Sequence, residues 1–538
     1  MRRTFAATAV AAGLSLAVAA QSAAPRLVVI LVVDQFRADY LTTFAAHWRA
    51  GFRTLMDEGA VFRRAAYPYL HTDTCAGHFT ISTGTLPRTH GMIADNWWVP
   101  EQRQLIECTD DDTSPNVTYG RAAKLGKSGR NLLVPTLADE LRAQKPGARV
   151  VTMSIKARGA IGLAGHGGEA ITWFEESPGV GSFVTARAFS ERPVRAVREF
   201  IDRNPHEKDA GTSWILRDPA EMYRYPDAGV GERPLISWSG LFPHDVKGRE
   251  GADDQFTTIW RGSPLSDAYL GRMAVASIDA FALGQRDTTD FLGISFSATD
   301  VVGHAFGPES REVEDTVARL DDTIGAVIAH LDAKVGRAKY VLALSADHGG
   351  APIPVTRGAG RIATDDIRDR IEETLRTQFG RSEQGPYVVA SYVEHMYFAP
   401  GVMDRLRAQP AVMRDIERAV ASIPGVDRVV WTEQLSDKAG DRALRAAALG
   451  FVKSRTGDLI VTTKADWFLT GRASTNATGH GTSHDYDQQV PIVLLGAKIK
   501  TGRYDTAATP ADIAPTLARL AGVQMPKAEG RPLQEALR

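Results

Sequence analysis

Asp34, Lys156, Asp300 and the pair Asp347-His348 each follow directly on an apolar run: LVVILVV, ARVVTMSI, FLGISFSAT and YVLALSA. Carboxylate and imidazole groups are ligands for divalent cations, and a Lys-x-Arg pair such as Lys156 and Arg158 complements an anion. His304 lies four residues after Asp300, so a single helical turn puts both on one side. The loop before the last apolar run, GHGTSHDYD, offers His480 and His484 as a sixth ligand. Two sets of three, each mixing carboxylate and imidazole with positions left open, suit catalytic zinc, whereas Mg²⁺ calls for more oxygen. The stretch HTDTCAGHFTISTG adds hydroxyl groups. Thr74 stands at the start of an expected helix, where free N–H groups and the positive end of the dipole favour an anion. A metal ion lowers the pKa of a bound hydroxyl enough for attack at neutral pH. Thr72, Ser82 and Thr83 compete with Thr74 for that role, and His78 in the first turn reads as structural.

These residues need a scaffold that delivers four chain segments to one place. Near-continuous Val/Ile/Leu runs are the mark of parallel strands covered on both faces. In open α/β sheets the chemistry gathers just beyond the carboxyl ends of such strands. The expected fold is therefore α/β, a doubly wound core. Strand 27–33 leads into the hydroxyl-rich segment, strand 148–155 follows, and FLGISFS, YVLALSA and VPIVLLG continue the sheet. Between FLGISFS and YVLALSA, REVEDTVARLDDTIGAVIAHLD has the spacing of an amphipathic helix. A closing helix is expected after Thr509 as N-cap, with Pro510 in its first position. Two segments break the rhythm as insertions that could shape the mouth of a pocket. One, at about 160–285, is rich in Gly, Pro, Trp and Arg and short of regular patterns. The other, at about 355–475, carries helical and strand-like stretches enough for a small α+β subdomain. The core with its insertions spans 25–538.

Composition narrows the classes. With 63 basic and 64 acidic residues, no overall field draws the chain to nucleic acid or membrane, so attraction for phosphate must be local. Arg2 and Arg3 precede FAATAVAAGLSLAVAA and then QSAAP, the pattern of a signal peptide (1–20) cut near Ala19 or Ala20. The expectation is a periplasmic or secreted protein without stable membrane insertion after cleavage. Two cysteines, Cys75 and Cys108, exclude a disulfide-rich scaffold and a cysteine-based structural zinc site; whether they pair, sequence leaves open. Cys75 is followed by Ala-Gly-His-Phe and not by the x-Pro-x-Arg that sulfatase-type oxidation of a cysteine needs.

In order along the chain, Asp34, Thr74-Cys-Ala-Gly-His, Lys156-Ala-Arg158, Asp300-x-x-x-His304, Asp347-His348 and GHGTSHDYD resemble the alkaline phosphatase superfamily. The likeness is greatest to its PafA-like bacterial branch, with a threonine nucleophile and a Lys/Arg phosphate clamp, and it covers nearly the whole chain after the signal. The resemblance implies an alkaline-phosphatase-like core with two inserted cap segments and two Zn²⁺ ions. One zinc would be held by Asp34, Asp347 and His348 beside Thr74, the other by Asp300, His304 and a later histidine. His480 fits that position without a gap, and His484 is the fallback. The resemblance further implies hydrolysis of small phosphate monoesters through a phosphothreonine on Thr74, with Lys156 and Arg158 on the non-bridging oxygens. A phosphodiesterase or nucleotide pyrophosphatase of the same superfamily and a non-catalytic metal- or phosphate-binding relative are the alternatives. One position departs: where the family has an asparagine that donates to a phosphoryl oxygen, this chain has Asp95, with Asn96 beside it. An ionised aspartate cannot donate there.

Overall fold

The computed structural model describes residues 24–120, 126–176, 180–436 and 440–538; the expected signal peptide lies outside them. Its centre is a ten-stranded sheet. Across the sheet the strands run Gly502–Tyr504, Ala60–Phe62, Ile492–Gly496, Tyr340–Ser345, Leu27–Val33, Asp290–Phe296, Val150–Ser154, Ala170–Glu175, Ser182–Ala186 and Asn116–Thr118. The five from Tyr340–Ser345 to Ala170–Glu175 are mutually parallel. Every side chain of Leu27–Val33 is buried. Leu27, Val29, Leu31 and Val33 pack into one core and Val28, Ile30 and Val32 into another, so each face of the sheet has its own hydrophobic layer. That division is why the strand reads as a continuous apolar run rather than an alternating one. Helices Pro264–Ala280 and Arg311–Lys334 supply one layer, and helices Thr74–Thr83, Ala157–Ala164 and Ile513–Ala521 the other. The architecture is the doubly wound α/β core expected of an alkaline-phosphatase-like chain, with a mixed rather than all-parallel sheet.

The mixed sense matters for the site. Ile492–Gly496 runs antiparallel to Tyr340–Ser345, with Ile492 opposite Ser345. The loop that precedes it therefore arrives at the edge where the parallel strands end. A parallel strand in that place would have carried GHGTSHDYD to the opposite edge.

Within the first segment expected as an insertion, Ala170–Glu175 and Ser182–Ala186 join the central sheet and Pro264–Ala280 packs on it. Both strands are short apolar runs flanked by glycine, which hid them in the composition. The stretch poor in regular structure is confined to about 204–253. The second segment builds its own four-stranded sheet from Val388–Tyr392, His395–Phe398, Leu459–Thr463 and Val426–Trp431, with a separate hydrophobic core. Among the described residues no helix is long and apolar enough to cross a membrane.

Candidate active site

Four parallel strands deliver their chemistry to one end of the sheet. Asp34 is the first residue beyond its strand, and its N–H donates to the Phe296 carbonyl 2.9 Å away. Asp300 and His304 sit one turn apart on the short helix Ala298–Phe306, and Asp347-His348 follow Tyr340–Ser345. Together with His480 they form two groups, Asp34–Asp347–His348 and Asp300–His304–His480, and the ligand atoms of each group lie within 4.8 Å of one another. His484 lies elsewhere: its Nε2 donates to the Thr463 carbonyl at 3.0 Å.

The three histidines are held alike. Nδ1 of His304 donates to the Thr478 carbonyl (2.9 Å), that of His348 to Gly349 (2.9 Å) and that of His480 to Thr72 (3.0 Å). A carbonyl only accepts, so each ring carries its proton on Nδ1 and presents a bare Nε2 to the site. The carboxylates face the same way. Gln35 N–H and His348 N–H donate to Asp347 Oδ1 (3.2 and 3.0 Å), and the Gln35 side chain donates to Asp300 Oδ1 at 2.9 Å. Supporting contacts of this kind fix ligand orientation at metal centres. Oδ1 of Asp34 and Nε2 of His348 are buried with no hydrogen-bond partner among the described residues. Burial, then the neighbouring carboxylates of Asp300 and Asp347, push Asp34 well above the usual carboxylate range. Three buried carboxylates facing one ammonium are short of positive charge, and cations bound in the two groups would supply it.

The nucleophile candidates separate by position. Thr74 opens the helix Thr74–Thr83, and Asp73 caps it by accepting from Ala76 N–H at 3.2 Å. Thr74 lines a pocket of about 220 Å³ together with Asp95, Lys156, Arg158, Asp300, His304 and His480. The hydroxyl of Thr72 donates to the Thr482 carbonyl, and those of Ser82 and Thr83 donate to Phe79 at the far end of the helix. His78 is structural: Nδ1 donates to the Thr74 carbonyl (2.9 Å) and Nε2 accepts from Ser295 Oγ (2.8 Å). Gly77 lets this helix close on the sheet, since a Cβ there would stand 2.1 Å from the Asp347 carbonyl oxygen. Cys75 and Cys108 are disulfide-bonded, with Cα atoms 6.7 Å apart, which answers the question their spacing left open and ties the start of the helix to the neighbouring loop.

Lys156 and Arg158 enter the same pocket with partners of their own. The Lys156 ammonium bridges Asp34 Oδ2 and Asp300 Oδ2, 2.6 Å from each, and lies 3.5 Å from Thr74 Oγ1. Arg158 Nε pairs with Asp95 Oδ2 at 2.9 Å. Asp95 thus faces the site: its Oδ1 accepts from Cys75 N–H (2.9 Å) at the head of the helix that Thr74 opens, and its own N–H donates to Asp73 Oδ2 (2.6 Å). Burial pushes the Asp95 carboxyl up to about 6 against the pull of Arg158, with Asp73 adding to the rise. Asn96 is not among the residues that line the pocket.

Four neighbours were not singled out in the sequence. Gln35, with a left-handed φ of 60°, links the two ligand groups. His71 is clamped between Asp73 (Nε2 to Oδ2, 2.8 Å) and Glu394 of the second inserted segment (Nδ1 to Oε1, 2.5 Å). Asp73 itself stays low, because His71 and then the Asp95 N–H outweigh its burial. Gln35 and Asp73 adjoin Asp34 and Thr74 in sequence, and that adjacency was the only available signal. Glu394 reaches His71 across more than 300 positions and had none.

The family described as type I phosphodiesterase / nucleotide pyrophosphatase matches residues 28–487, and the chain belongs to it. It is, more closely, a PafA-like member of the alkaline phosphatase superfamily. Alkaline phosphatase PafA of Elizabethkingia meningoseptica is 29% identical over 535 residues, covering 95% of this chain and 94% of that one. Alkaline phosphatase PhoV of Synechococcus elongatus is 30% identical over 524 residues, covering 94% and 91%. The crystal structure of wild-type PafA superposes with a TM-score of 0.87 at 28% identity, covering 96% of this chain and 99% of that one. The protein is a hydrolase of this superfamily with two residue groups suited to metal.

Proposed function

We propose that the protein is an exported alkaline phosphatase that hydrolyses phosphate monoesters with two zinc ions and a phosphothreonine intermediate on Thr74. The observation that carries this reading is one strand-end site, where a pocket lined by Thr74, Lys156, Arg158 and the Asp300–His304–His480 group adjoins the Asp34–Asp347–His348 group, Lys156 bridging Asp34 and Asp300. Asp34, Asp347 and His348 would hold one zinc, and Asp300, His304 and His480 the other. Bound there, the ions supply Lewis acidity that eases ionisation of a hydroxyl and stabilises a leaving oxygen. The chain's own part is positional. Thr74 Oγ1 attacks phosphorus in line, the alcohol leaves on the opposite side, and water arriving from that side then cleaves the phosphothreonine. An ammonium and a divalent cation would compete for the same carboxylate oxygens, so in a loaded site Lys156 would be free of Asp34 and Asp300 to serve the substrate. Arg158 holds a second non-bridging oxygen, and the two cations match the two charges of a monoester. Zinc fits the donors: three protein ligands per group, with imidazole in both.

One observation favours a second reading. Asp95 neutralises half of the clamp by pairing with Arg158, and a single net positive charge complements a diester as well as it does a monoester. The nucleophile and metal groups serve either substrate. The phosphothreonine is tested by acid-quenching the enzyme with ³²P-labelled aryl phosphate and mapping the label. Label on Thr74, and its loss in Thr74→Ala together with roughly three powers of ten or more in rate, is the expected result. Label on Ser82 or Thr83, or a Thr74→Ala enzyme of normal rate, would remove Thr74 from the mechanism.

A further inference from the structure

The pocket around Thr74 shares Lys156, Arg158, Asp300, His304 and Asn476 with a second, larger cleft of about 770 Å³. Two more arginines line that cleft, Arg233 and Arg261, both from the first inserted segment. Arg233 is exposed; its guanidinium contacts the Ser474 carbonyl at 3.3 Å, and among the described residues it has no carboxylate partner. Arg261 pairs with Glu176, yet its Nε is buried with no hydrogen-bond partner among the described residues. Burial, and after it the nearby Arg158 cation, push the Arg261 guanidinium down to about 10, so it is still charged at neutral pH. Lys156, Arg158 and Arg261 each have a carboxylate partner while Arg233 has none among the described residues, and a buried guanidinium donor without an acceptor costs free energy until an anion arrives. Leu235 and Ile236, the latter half exposed, lie beside the arginines and give a carbon linker something to rest on.

We propose that this cleft is a subsite for a second phosphate group carried on the leaving alcohol, so that the preferred substrates are bisphosphorylated. The inference rests on the phosphomonoesterase reading and deepens it. The phosphoryl group under attack occupies the clamp of Lys156 and Arg158, while Arg233 and the free Nε of Arg261 bind the distal phosphate, which stays intact. A charge-assisted hydrogen bond to such a group contributes enough to raise kcat/KM on the order of tenfold. A singly phosphorylated alcohol leaves the subsite unused.

The test compares 1,3-propanediol bisphosphate with 1,3-propanediol monophosphate, on the zinc-loaded wild type and on Arg233→Gln and Arg261→Gln. The expected result is a wild-type preference for the bisphosphate on the order of tenfold, and a loss on that substrate in each variant several times larger than on the monophosphate. Arg233 is solvent-facing, so its variant keeps the test sound if Arg261→Gln folds poorly. Equal losses on both substrates, or none, would overturn the subsite. If the wild type hydrolysed neither compound, the phosphatase reading would fail, and calorimetry on Thr74→Ala would then decide the subsite alone. Tighter binding of the bisphosphate, abolished by adding Arg233→Gln, supports it; equal affinities for the two compounds refute it.

Discussion

At the scale of single residues, Asp95 stands where the resemblance implies an asparagine, and the difference is electrostatic. Its carboxylate is buried against Arg158 and accepts from the N–H of Cys75, the residue after the proposed nucleophile. With its pKa raised to about 6, it is neutral below that pH and ionised above it. Once ionised it cancels the charge of Arg158 and repels a phosphate dianion. Asp95→Asn removes that titration. The ratio of variant to wild-type kcat/KM on an aryl monoester should rise as pH increases through about 6, then level off on the order of tenfold in favour of the variant. Taking the ratio cancels the substrate's own second ionisation. A ratio that stays flat from pH 5 to 8 would show that Asp95 does not act on the phosphoryl group. The proposed metal ligands were legible residue by residue, because a carboxylate or imidazole just past a fully apolar strand has no packing reason to be there. The choice of His480 over His484 was legible only through family spacing. In the structure the two rings have different backbone partners, the Thr72 carbonyl for His480 and the Thr463 carbonyl for His484.

At the scale of elements, the nucleophile depends on how closely one helix approaches one strand end. Thr74–Thr83 packs with Gly77 against the Asp347 backbone, where there is no space for a methyl group. Gly77→Ala must push the helix away from Asp347, which it abuts. The expected cost is about 1–3 kcal/mol in urea unfolding, with a fall in kcat larger than the loss of folded protein explains. An unchanged midpoint and rate would mean that the contact is not what positions Thr74. The central strands were readable because burial on both faces leaves a continuous apolar signature. Ala170–Glu175 and Ser182–Ala186 were not, since short strands among glycines resemble loop in composition. The antiparallel sense of Ile492–Gly496 is a tertiary property, set by pairing with Tyr340–Ser345, and no local pattern announces it.

At the scale of the whole molecule, three buried carboxylates converge on one point and leave the apo fold with an electrostatic debt. Ions that bind only the folded chain stabilise it by mass action, about 2.7 kcal/mol for each site held at a hundred times its dissociation constant. Protein dialysed against a chelator should therefore unfold at lower urea than the zinc-loaded form, and zinc should restore the midpoint where Mg²⁺ does not. Identical midpoints with and without zinc would speak against two resident ions. The second inserted segment closes over the same site, contributing Tyr392, Val393 and Phe468 to the pocket wall and Glu394 to His71. That arrangement joins residues far apart in the chain, and so lay beyond reach of a linear reading. The central claim is that this pocket is built for a dianion, and the most direct measurement is kcat/KM of the zinc-loaded enzyme on 4-nitrophenyl phosphate and on its methyl diester. A monoester preference of roughly tenfold to a hundredfold is expected, from two charge-assisted contacts of which the diester can satisfy one. Equal rates, or a faster diester, would contradict it and leave the protein a phosphodiesterase.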